Sequence, residues 1–246
     1  MNNPFSLSGK TILVTGASSG IGRGIAIACA DMGAQLILTG RNVARLQETL
    51  AHLEGEGHRY ISAELTDTKE RTALVEQLPP LHGVVHCAGV GSRVPCKMIT
   101  QEDIDYVLKP NTEAPMLLQA ELLAEKKLQK SASVVIIASA AANMPAVGNA
   151  VYSASKAAMV AYAKCLALEL APRNIRVNCI SPTMVWTDLA LLGASVEQLT
   201  GAEKQYPLKR YGQPQDIAHL AVYMLSDAST WMTGSDVAIT GGSQNL

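Results

Sequence analysis

Tyr152 and Lys156 are the residues whose types and spacing best fit proton-transfer chemistry. Residues at i and i+4 of a helix share one face, so the phenol and the ammonium group can meet in one pocket. A free tyrosine is a weak acid at neutral pH, and a nearby cation favours its phenolate form. Ser139 lies upstream, at the end of an apolar run. Taken alone, the pair also fits an exposed helix face with incidental spacing, so the rest of the sequence must decide.

The composition suits one folded α/β domain over residues 1–246. Hydrophobic residues make up 48% of the 246 residues and charged residues 17%, which argues against extensive disorder. Only 4% are aromatic, so the core must be aliphatic and rich in alanine. The net charge is −1 and the basic residues are dispersed, which argues against a nucleic-acid or anionic-membrane surface.

The cysteines and the N-terminus indicate a cytoplasmic protein without a metal site. The cysteines are scattered, form no CxxC or Cys/His metal spacing, and suit reduced thiols. No basic stretch precedes an apolar run at the N-terminus, so no signal peptide is expected. No uninterrupted apolar window of about 18 residues occurs, so no membrane span is expected.

Short apolar, β-branched runs alternate with longer helical patterns. The predicted strands are residues 11–14, 36–39, 59–63, 84–87, 134–138, 176–180 and 237–239. The predicted helices are residues 21–31, 43–54, 69–77 and 150–170, one capped by Thr100 with Asp103 at its third position, and one beginning at Pro214. This alternation predicts a Rossmann-type, doubly wound parallel sheet of about seven strands with helices on both faces.

A glycine-rich turn joins the first predicted strand to the first predicted helix. Glycines at 16, 20 and 22 permit a tight turn and let a phosphate approach the helix N-terminus, where exposed amides favour it. An ordinary strand–helix turn is the alternative, but the strand–turn–helix context favours a dinucleotide. The predicted contacts are Gly16, Ser18, Ser19, Gly20, Ile21 and Gly22.

The end of the second predicted strand bears on the choice between NAD and NADP. An acidic residue there would bind the ribose 2′-hydroxyl and repel a 2′-phosphate. This chain has Gly40, Arg41 and Asn42 instead, so a guanidinium is available to the phosphate. The prediction is NADP(H), with a solvated Arg41 as the alternative.

With these motifs in order and at the right spacing, the chain resembles the short-chain dehydrogenase/reductase family along nearly its whole length. The glycine turn at 15–22, Ser139 and the Tyr152–Lys156 pair match the family's most specific signatures. Residues 86–89, 176–182 and 233–242 also agree with it. The resemblance implies an oxidoreductase that interconverts a ketone and a secondary alcohol.

The resemblance also assigns roles. Tyr152 would exchange a proton with the substrate oxygen, and Ser139 would position that oxygen. Lys156 would favour the phenolate and hold the nicotinamide ribose, and Asn111 would keep a water in the proton relay. The further cofactor contacts that it implies, besides Tyr152 and Lys156, are Glu64, Leu65, Cys87, Ala88, Gly89, Pro182, Val185 and Thr187.

The sequence departs from the family pattern at positions outside the catalytic group. His86 and Cys87 replace two asparagines and are expected to alter packing beneath the adenosine ribose. Glu64 replaces an aspartate, Thr183 a glycine and Thr240 an aspartate. None of these changes removes a catalytic side chain.

Pro110 and Pro115 flank Asn111 within a predicted helix. Proline has no N–H, so Pro115 cannot bond to the carbonyl of residue 111. One hypothesis is that this carbonyl is left free for the relay water. The alternative is a structural kink without catalytic consequence.

Residues 183–210 correspond to the family's substrate loop. Ser195 and Gln198 form a candidate capping box within it, and Met184, Trp186 and Leu189 are candidates for an apolar pocket. The family resemblance also predicts a homotetramer built on the long helix and the C-terminal segment.

Two alternatives to the general reaction remain. A 3-oxoacyl-[acyl-carrier-protein] reductase would meet an acidic carrier through bases such as Lys126, Lys127, Lys130 and Arg173. A non-catalytic NADP-binding regulator would be expected to lose the tyrosine or the lysine, and this chain keeps both. The identity of the small-molecule substrate does not follow from the sequence.

Overall fold

The computed structural model describes residues 3–144, 146–191 and 195–243. Seven parallel strands form one sheet in the order β3-β2-β1-β4-β5-β6-β7. They are β1 (Thr11–Thr15), β2 (Gln35–Gly40), β3 (Arg59–Ser62), β4 (Leu81–His86), β5 (Leu128–Ile137), β6 (Arg176–Pro182) and β7 (Asp236–Ile239). The predicted doubly wound α/β fold is confirmed.

Helices cover both faces of the sheet. They are α1 (Gly20–Asp31), α2 (Val43–Leu50), α3 (Thr68–Glu76), α4 (Gln101–Leu108), α5 (Ala114–Ala124), α6 (Ala150–Leu170), α7 (Val196–Glu203) and α8 (Pro214–Leu225). Buried aliphatic side chains of α1, α2 and α8 pack on one face, and those of α3, α5 and α6 pack on the other. No helix of the described residues has the length and apolarity that a membrane crossing needs.

The predicted helix starts are confirmed where the capping chemistry was specific. Thr100 and Asp103 exchange hydrogen bonds in a capping box that begins α4. Ser195 and Gln198 do the same at α7, and Pro214 occupies the first turn of α8. The capping boxes satisfy amides that a helix N-terminus otherwise leaves without partners, and Pro214 has no N–H that needs one.

Two predicted boundaries were wrong by four residues or more, and the fourth strand begins at Leu81 rather than 84. The helix predicted to reach residue 54 ends at Leu50, ahead of a turn in which Gly55 and Gly57 adopt φ values of +103° and +78°. The fifth strand begins at Leu128 rather than 134. The prediction missed its beginning because residues 129–131 are polar and exposed and carry no apolar signal. Ser131 has a φ of +64°, and the pairing register with β4 shifts along this first part.

The sheet topology places the carboxyl ends of the strands along one edge, since all strands run parallel. β1 and β4 are neighbours, but the chain leaves β1 toward the α1 face and leaves β4 toward the α5 face. A crevice opens where successive connections diverge in this way, and it is the usual binding site of doubly wound sheets.

Candidate active site

Helix α6 presents Tyr152 and Lys156 on one face, as their spacing predicts. The Lys156 Nζ lies 5.9 Å from the centroid of the Tyr152 ring. The same Nζ donates a hydrogen bond of 2.9 Å to the carbonyl of Ile137, the last residue of β5. Only 7% of Lys156 is exposed. The end of the strand therefore fixes the ammonium group beside the phenol.

Ser139 lies two residues after the end of β5 and caps a short 3-10 helix, Ala140–Ala142. Its Oγ accepts a hydrogen bond of 3.1 Å from the amide of Ala141. A hydroxyl that accepts in this way keeps its own proton to donate. The 3-10 helix packs against α6, so the Ser139 segment and the tyrosine helix form one wall of the crevice.

The helix around Asn111 is irregular, as the two prolines suggested. Residues Lys109–Glu113 form a π-helical turn between α4 and α5, in which the amide of Ala114 donates to the carbonyl of Lys109. Pro115 has no N–H for the regular i→i−4 bond to residue 111, so a wider turn fits the sequence here. A role of the Asn111 carbonyl toward a water stays a hypothesis.

The buried side chain of Asn111 links three parts of the site. Its Oδ1 accepts from the Val90 amide at 2.7 Å, and its Nδ2 donates to the Val90 carbonyl at 2.9 Å. The Nδ2 also lies 3.2 Å from Ser155 Oγ, which in turn donates to the Tyr152 carbonyl at 2.6 Å. Sequence reasoning missed Ser155, although a serine between Tyr152 and Lys156 was a usable signal. The π-helical turn, the loop after β4 and α6 are thereby held together.

Gly89 lies where these groups meet. A Cβ on Gly89 would stand 2.9 Å from Asn111 Oδ1 and 3.6 Å from Lys156 Nζ. The absence of a side chain keeps this part of the crevice open. The structure therefore brings together Gly89, Asn111, Tyr152 and Lys156 at the carboxyl ends of β4 and β5.

The glycine turn has the geometry of a phosphate cradle. Gly16 and Gly20 adopt φ values of +65° and +53°, which only glycine adopts readily. A Cβ on Gly22 would lie 2.3 Å from the Gly16 carbonyl oxygen. The side chain of Ser19, the residue before α1, makes no capping bond. The first amides of α1 are thus left for a ligand, and an anion fits there.

Three residues that sequence reasoning missed brace this turn. Thr15 Oγ1 accepts from the amides of Cys87 and Ala88 at 3.0 and 3.1 Å, which joins β4 to the turn. Arg23 donates to the Ser18 carbonyl at 2.7 Å, and Thr49 donates to the carbonyl of residue 17 at 2.9 Å. Thr15 and Arg23 adjoin the glycines in the sequence, whereas Thr49 lies in α2 and carries no such signal.

The end of β2 carries the residues predicted to read the adenosine ribose. Arg41, which is 72% exposed in its side chain, forms an ion pair of 3.3 Å with Glu64. The side chain of Asn42 accepts from the Arg45 amide at 3.0 Å and so caps α2. Ser18 faces Gly40, with its Oγ 3.6 Å from the position of a Cβ there. The predicted contacts from the glycine turn, β2 and β3 therefore adjoin one another.

Arg71 fixes the loop after β3 through a hydrogen bond and an ion pair. Its guanidinium donates to the Leu65 carbonyl at 3.0 Å and pairs with Glu121 at 2.7 Å. Leu65 itself is buried. Arg71 was not predicted, because nothing in the sequence places it next to residue 65.

The segment after β6 reaches back over the glycine turn. Pro182 ends β6 and pairs with Ile239 of β7, and Val185 is buried beside Gly212. The Thr187 Cγ2 lies 3.0 Å from the position of a Cβ on Gly20. Residues 192–194 of the predicted substrate loop lie outside the described residues.

Among the described residues, Met184, Trp186 and Leu189 do not line one common pocket: Met184 lines a cavity with Leu208, and Leu189 lies against Gly91. Trp186 packs on Tyr211 with ring centroids 5.6 Å apart, and its Nε1 donates to Glu203. Aromatic packing and this hydrogen bond turn Trp186 toward α7. A cavity of about 570 Å³ lies instead beside the Ser139 segment, lined in part by Cys96, Ala141, Ala142, Asn143 and Ser153.

Comparison with known proteins identifies this arrangement. A family sequence profile described as enoyl-(acyl carrier protein) reductase matches residues 16–244. L-xylulose reductase of Caenorhabditis elegans is 34% identical over 98% of both chains. The chain belongs to the short-chain dehydrogenase/reductase family. It is therefore an oxidoreductase family member that acts on alcohol or carbonyl groups and uses a nicotinamide cofactor.

Other short-chain dehydrogenases/reductases agree over the full length. A 3-oxoacyl-[acyl-carrier-protein] reductase of Rickettsia conorii is 30% identical over 97% of this chain and 98% of its own. A candidate NAD(P)-dependent gluconate 5-dehydrogenase from Beutenbergia cavernae has been solved with NADP bound at low occupancy. Its structure superposes on this one with a TM-score of 0.89, at 32% identity over 98% of both chains.

The family's paired asparagines are replaced here by His86 and Cys87, whose burial disfavours their charged forms. The His86 ring lies in the core, with Nε2 3.0 Å from Gln119 Oε1, and burial lowers its pKa. Among the described residues, its Nδ1 has no hydrogen-bond partner. Burial raises the pKa of the Cys87 thiol to about 12. The backbone amide of Cys87, rather than its thiol, is the group bonded to Thr15.

Proposed function

We propose that this protein is an NADP(H)-dependent oxidoreductase that interconverts a ketone and a secondary alcohol. The observation that carries the proposal is the linked set of Asn111, Ser155, Tyr152 and Lys156 at the crevice. Hydrogen bonds join the buried Asn111 amide to Ser155 and Ser155 to the Tyr152 carbonyl, and the Lys156 ammonium lies 5.9 Å from the Tyr152 ring centroid on the same helix. Ser139, at the adjoining strand end, completes the proposed catalytic group.

The chain's own residues handle the proton and the substrate oxygen. Tyr152 donates a proton to the carbonyl oxygen during reduction and removes it during oxidation. The positive charge of Lys156, held by the Ile137 carbonyl, stabilises the phenolate. Ser139 donates its hydroxyl to the same substrate oxygen and fixes its position. A bound nicotinamide supplies or accepts the hydride.

The cofactor is proposed to lie along the carboxyl edge of the sheet. The glycine turn would hold the pyrophosphate, and Arg41 would bind the 2′-phosphate at the end of β2 in exchange for its present partner, Glu64. Lys156 would also hold the nicotinamide ribose. The other proposed contacts are Ser18, Ser19, Ile21, Asn42, Glu64, Leu65, Cys87, Ala88, Gly89, Tyr152, Pro182, Val185 and Thr187. The NADP bound to the gluconate 5-dehydrogenase relative supports this choice.

Replacing Arg41 by Gln is expected to weaken NADPH binding about tenfold and leave NADH binding unchanged, because a charge-assisted hydrogen bond to phosphate is lost. Fluorescence titration with both cofactors measures the ratio. Arg59→Gln is the matched control, since it removes the same charge at the amino end of β3, away from the carboxyl ends of the strands where the cofactor is proposed to lie. Equal affinity of the natural chain for NADH and NADPH would contradict the NADP preference.

The proposed reaction is tested with NADPH and a panel of ketones that includes acyl-carrier thioesters. Oxidation of NADPH with at least one ketone is expected. A protein that binds NADPH but turns over nothing across the panel would instead fit the non-catalytic regulator. Selective turnover of 3-oxoacyl carrier thioesters would narrow the function to that reductase.

The general reaction is favoured over the carrier-specific one. Among the bases considered for an acidic carrier, Lys127 donates to the Leu78 carbonyl at 2.7 Å and Arg173 donates to the Leu128 carbonyl. Both side chains thus have structural partners. The narrower proposal is supported by the names of the matching family profile and of the Rickettsia relative, which both refer to acyl carrier protein.

A cytoplasmic homotetramer is the proposed assembly, with residues 183–210 as its substrate loop and residues 1–246 as one domain. Exposed apolar side chains on consecutive helices support it, such as Tyr106 on α4, Leu117 on α5 and Leu168 on α6. Light scattering measures the assembly directly. A mass equal to one 26.0 kDa chain would contradict the proposal.

A further inference from the structure

Residues 187–191, here named the crossing segment, touch two walls of the crevice. Thr187 lies against the glycine turn, with its Cγ2 3.0 Å from the position of a Cβ on Gly20. Leu189 lies against the loop after β4, with its Cδ1 3.2 Å from the position of a Cβ on Gly91. The segment therefore borders the groove proposed for the cofactor, at the glycine turn and at the loop after β4.

Asp188 ties this segment to a third wall. Its Oδ2 lies 2.8 Å from Nη1 of Arg45, in the first turn of α2. That turn begins just after Gly40 and Arg41, at the end of β2. One ion pair thus connects the crossing segment to the part of the crevice that would read the ribose 2′ position.

Three arginines of this region, Arg23, Arg41 and Arg45, differ in the partners that their side chains bind. Arg23 pairs with Glu48 and also holds Thr49 and the Ser18 carbonyl, so it is a structural brace. Arg41 pairs with Glu64 of the neighbouring strand end. Arg45 differs from both, because its carboxylate partner comes from the crossing segment.

The Arg45–Asp188 ion pair is weak enough for another anion to replace Asp188 as the partner of Arg45. The side chains are 49% and 64% exposed. A pair so exposed shifts an equilibrium by at most about fivefold. A phosphate monoester carries up to about two negative charges near neutral pH and accepts several hydrogen bonds. A cofactor 2′-phosphate next to α2 can therefore displace the carboxylate.

We propose that Arg45 is a specificity-determining residue for which Asp188 and the 2′-phosphate of NADPH compete. Asp188 then lowers NADPH affinity without affecting NADH, and NADPH loosens the contact between the crossing segment and α2, as linkage requires. The inference rests on the proposed function in that the crevice must bind a nicotinamide dinucleotide.

The test is a titration of NADPH and NADH against the natural chain, Asp188→Asn, Arg45→Gln and the double variant. Asp188→Asn is expected to tighten NADPH binding about three- to fivefold, because Arg45 is freed. Arg45→Gln is expected to weaken it about tenfold. Adding Asp188→Asn to Arg45→Gln should then change nothing, since the two residues act through one interaction. NADH affinity should stay constant throughout.

Two comparisons sharpen the test. Repeating the titration with 2′,5′-ADP and 5′-AMP, which differ in the 2′-phosphate, should reproduce the NADPH and NADH patterns. Asp227→Asn is the matched control, because it removes an exposed carboxylate that pairs with Lys10, just before the amino end of β1 and away from the proposed cofactor groove. It should alter neither affinity.

The outcomes separate this inference from the proposed function. The inference would be overturned if Asp188→Asn changed the affinities for NADPH and NADH equally. It would also be overturned if Arg45→Gln left NADPH affinity unchanged. Neither result would contradict NADP-dependent turnover. Failure of the natural chain to bind either cofactor would overturn the proposed function and the inference together.

Discussion

Tyr152→Phe is expected to lower kcat about 100- to 10,000-fold, the range typical of a lost general acid–base group. The change removes only the hydroxyl. The phenyl ring can keep its place on α6 near the Lys156 ammonium, which lies 5.9 Å from the ring centroid. Affinity for NADPH is therefore expected to change little. Steady-state turnover and a fluorescence titration of cofactor measure the two effects separately.

Tyr162→Phe is the matched control for this prediction. Tyr162 lies on the same helix and packs against the core, where burial raises its pKa to about 12. It loses the same hydroxyl away from the crevice, so its turnover should match the natural chain. Comparable turnover in Tyr152→Phe would contradict the proposed proton transfer. Equal loss in both variants would point to damage of α6 rather than to chemistry.

Gly22→Ala is expected to weaken binding of both NADPH and NADH about 10- to 100-fold. A Cβ at this position would lie 2.3 Å from the Gly16 carbonyl oxygen, a distance that the backbone must relieve by moving. Overpacking of this kind costs about 1–3 kcal/mol, and the shift would misplace the amides of the phosphate cradle. Cofactor titration measures the loss, and thermal unfolding measures the accompanying drop in stability.

Gly201→Ala separates this steric effect from the general effect of adding a methyl group. Gly201 lies in α7, and a Cβ there would meet nothing within 4 Å. Alanine in a helix is favoured over glycine by about 1 kcal/mol, so this variant should be at least as stable as the natural chain. If Gly22→Ala bound both cofactors and melted like the natural chain, the glycine turn would not be the proposed phosphate cradle.

The fold was largely predictable because its signals are local. β-branched runs such as that ending in Val14 indicate buried strands of a parallel sheet, and capping residues such as Thr100 mark helix starts. Where local signals were weak, the boundaries were wrong. The strand β5 begins early because Leu128 pairs with Leu81 of β4, and the exposed residues 129–131 lie where the register then shifts. No local property of those residues predicts that pairing.

The candidate site divides in the same way. The residues proposed for chemistry were found because their types and spacing are specific, as with Tyr152 and Lys156 on adjacent turns of one helix. The residues that hold them in place were missed. Thr15, Arg71 and Ser155 act through hydrogen bonds to backbone groups, and nearly any sequence context can supply such a bond.

The amino-acid sequence by itself determined the doubly wound sheet, the glycine turn and the pair proposed for proton transfer, because periodicity, glycine positions and i,i+4 spacing are properties of short segments. Only the tertiary structure decided that Asn111 joins the loop after β4 to α6, that Trp186 turns toward Glu203, and that Asp188 reaches Arg45. These contacts join residues far apart in the chain. Their formation depends on how the sheet and helices pack, which no local pattern records.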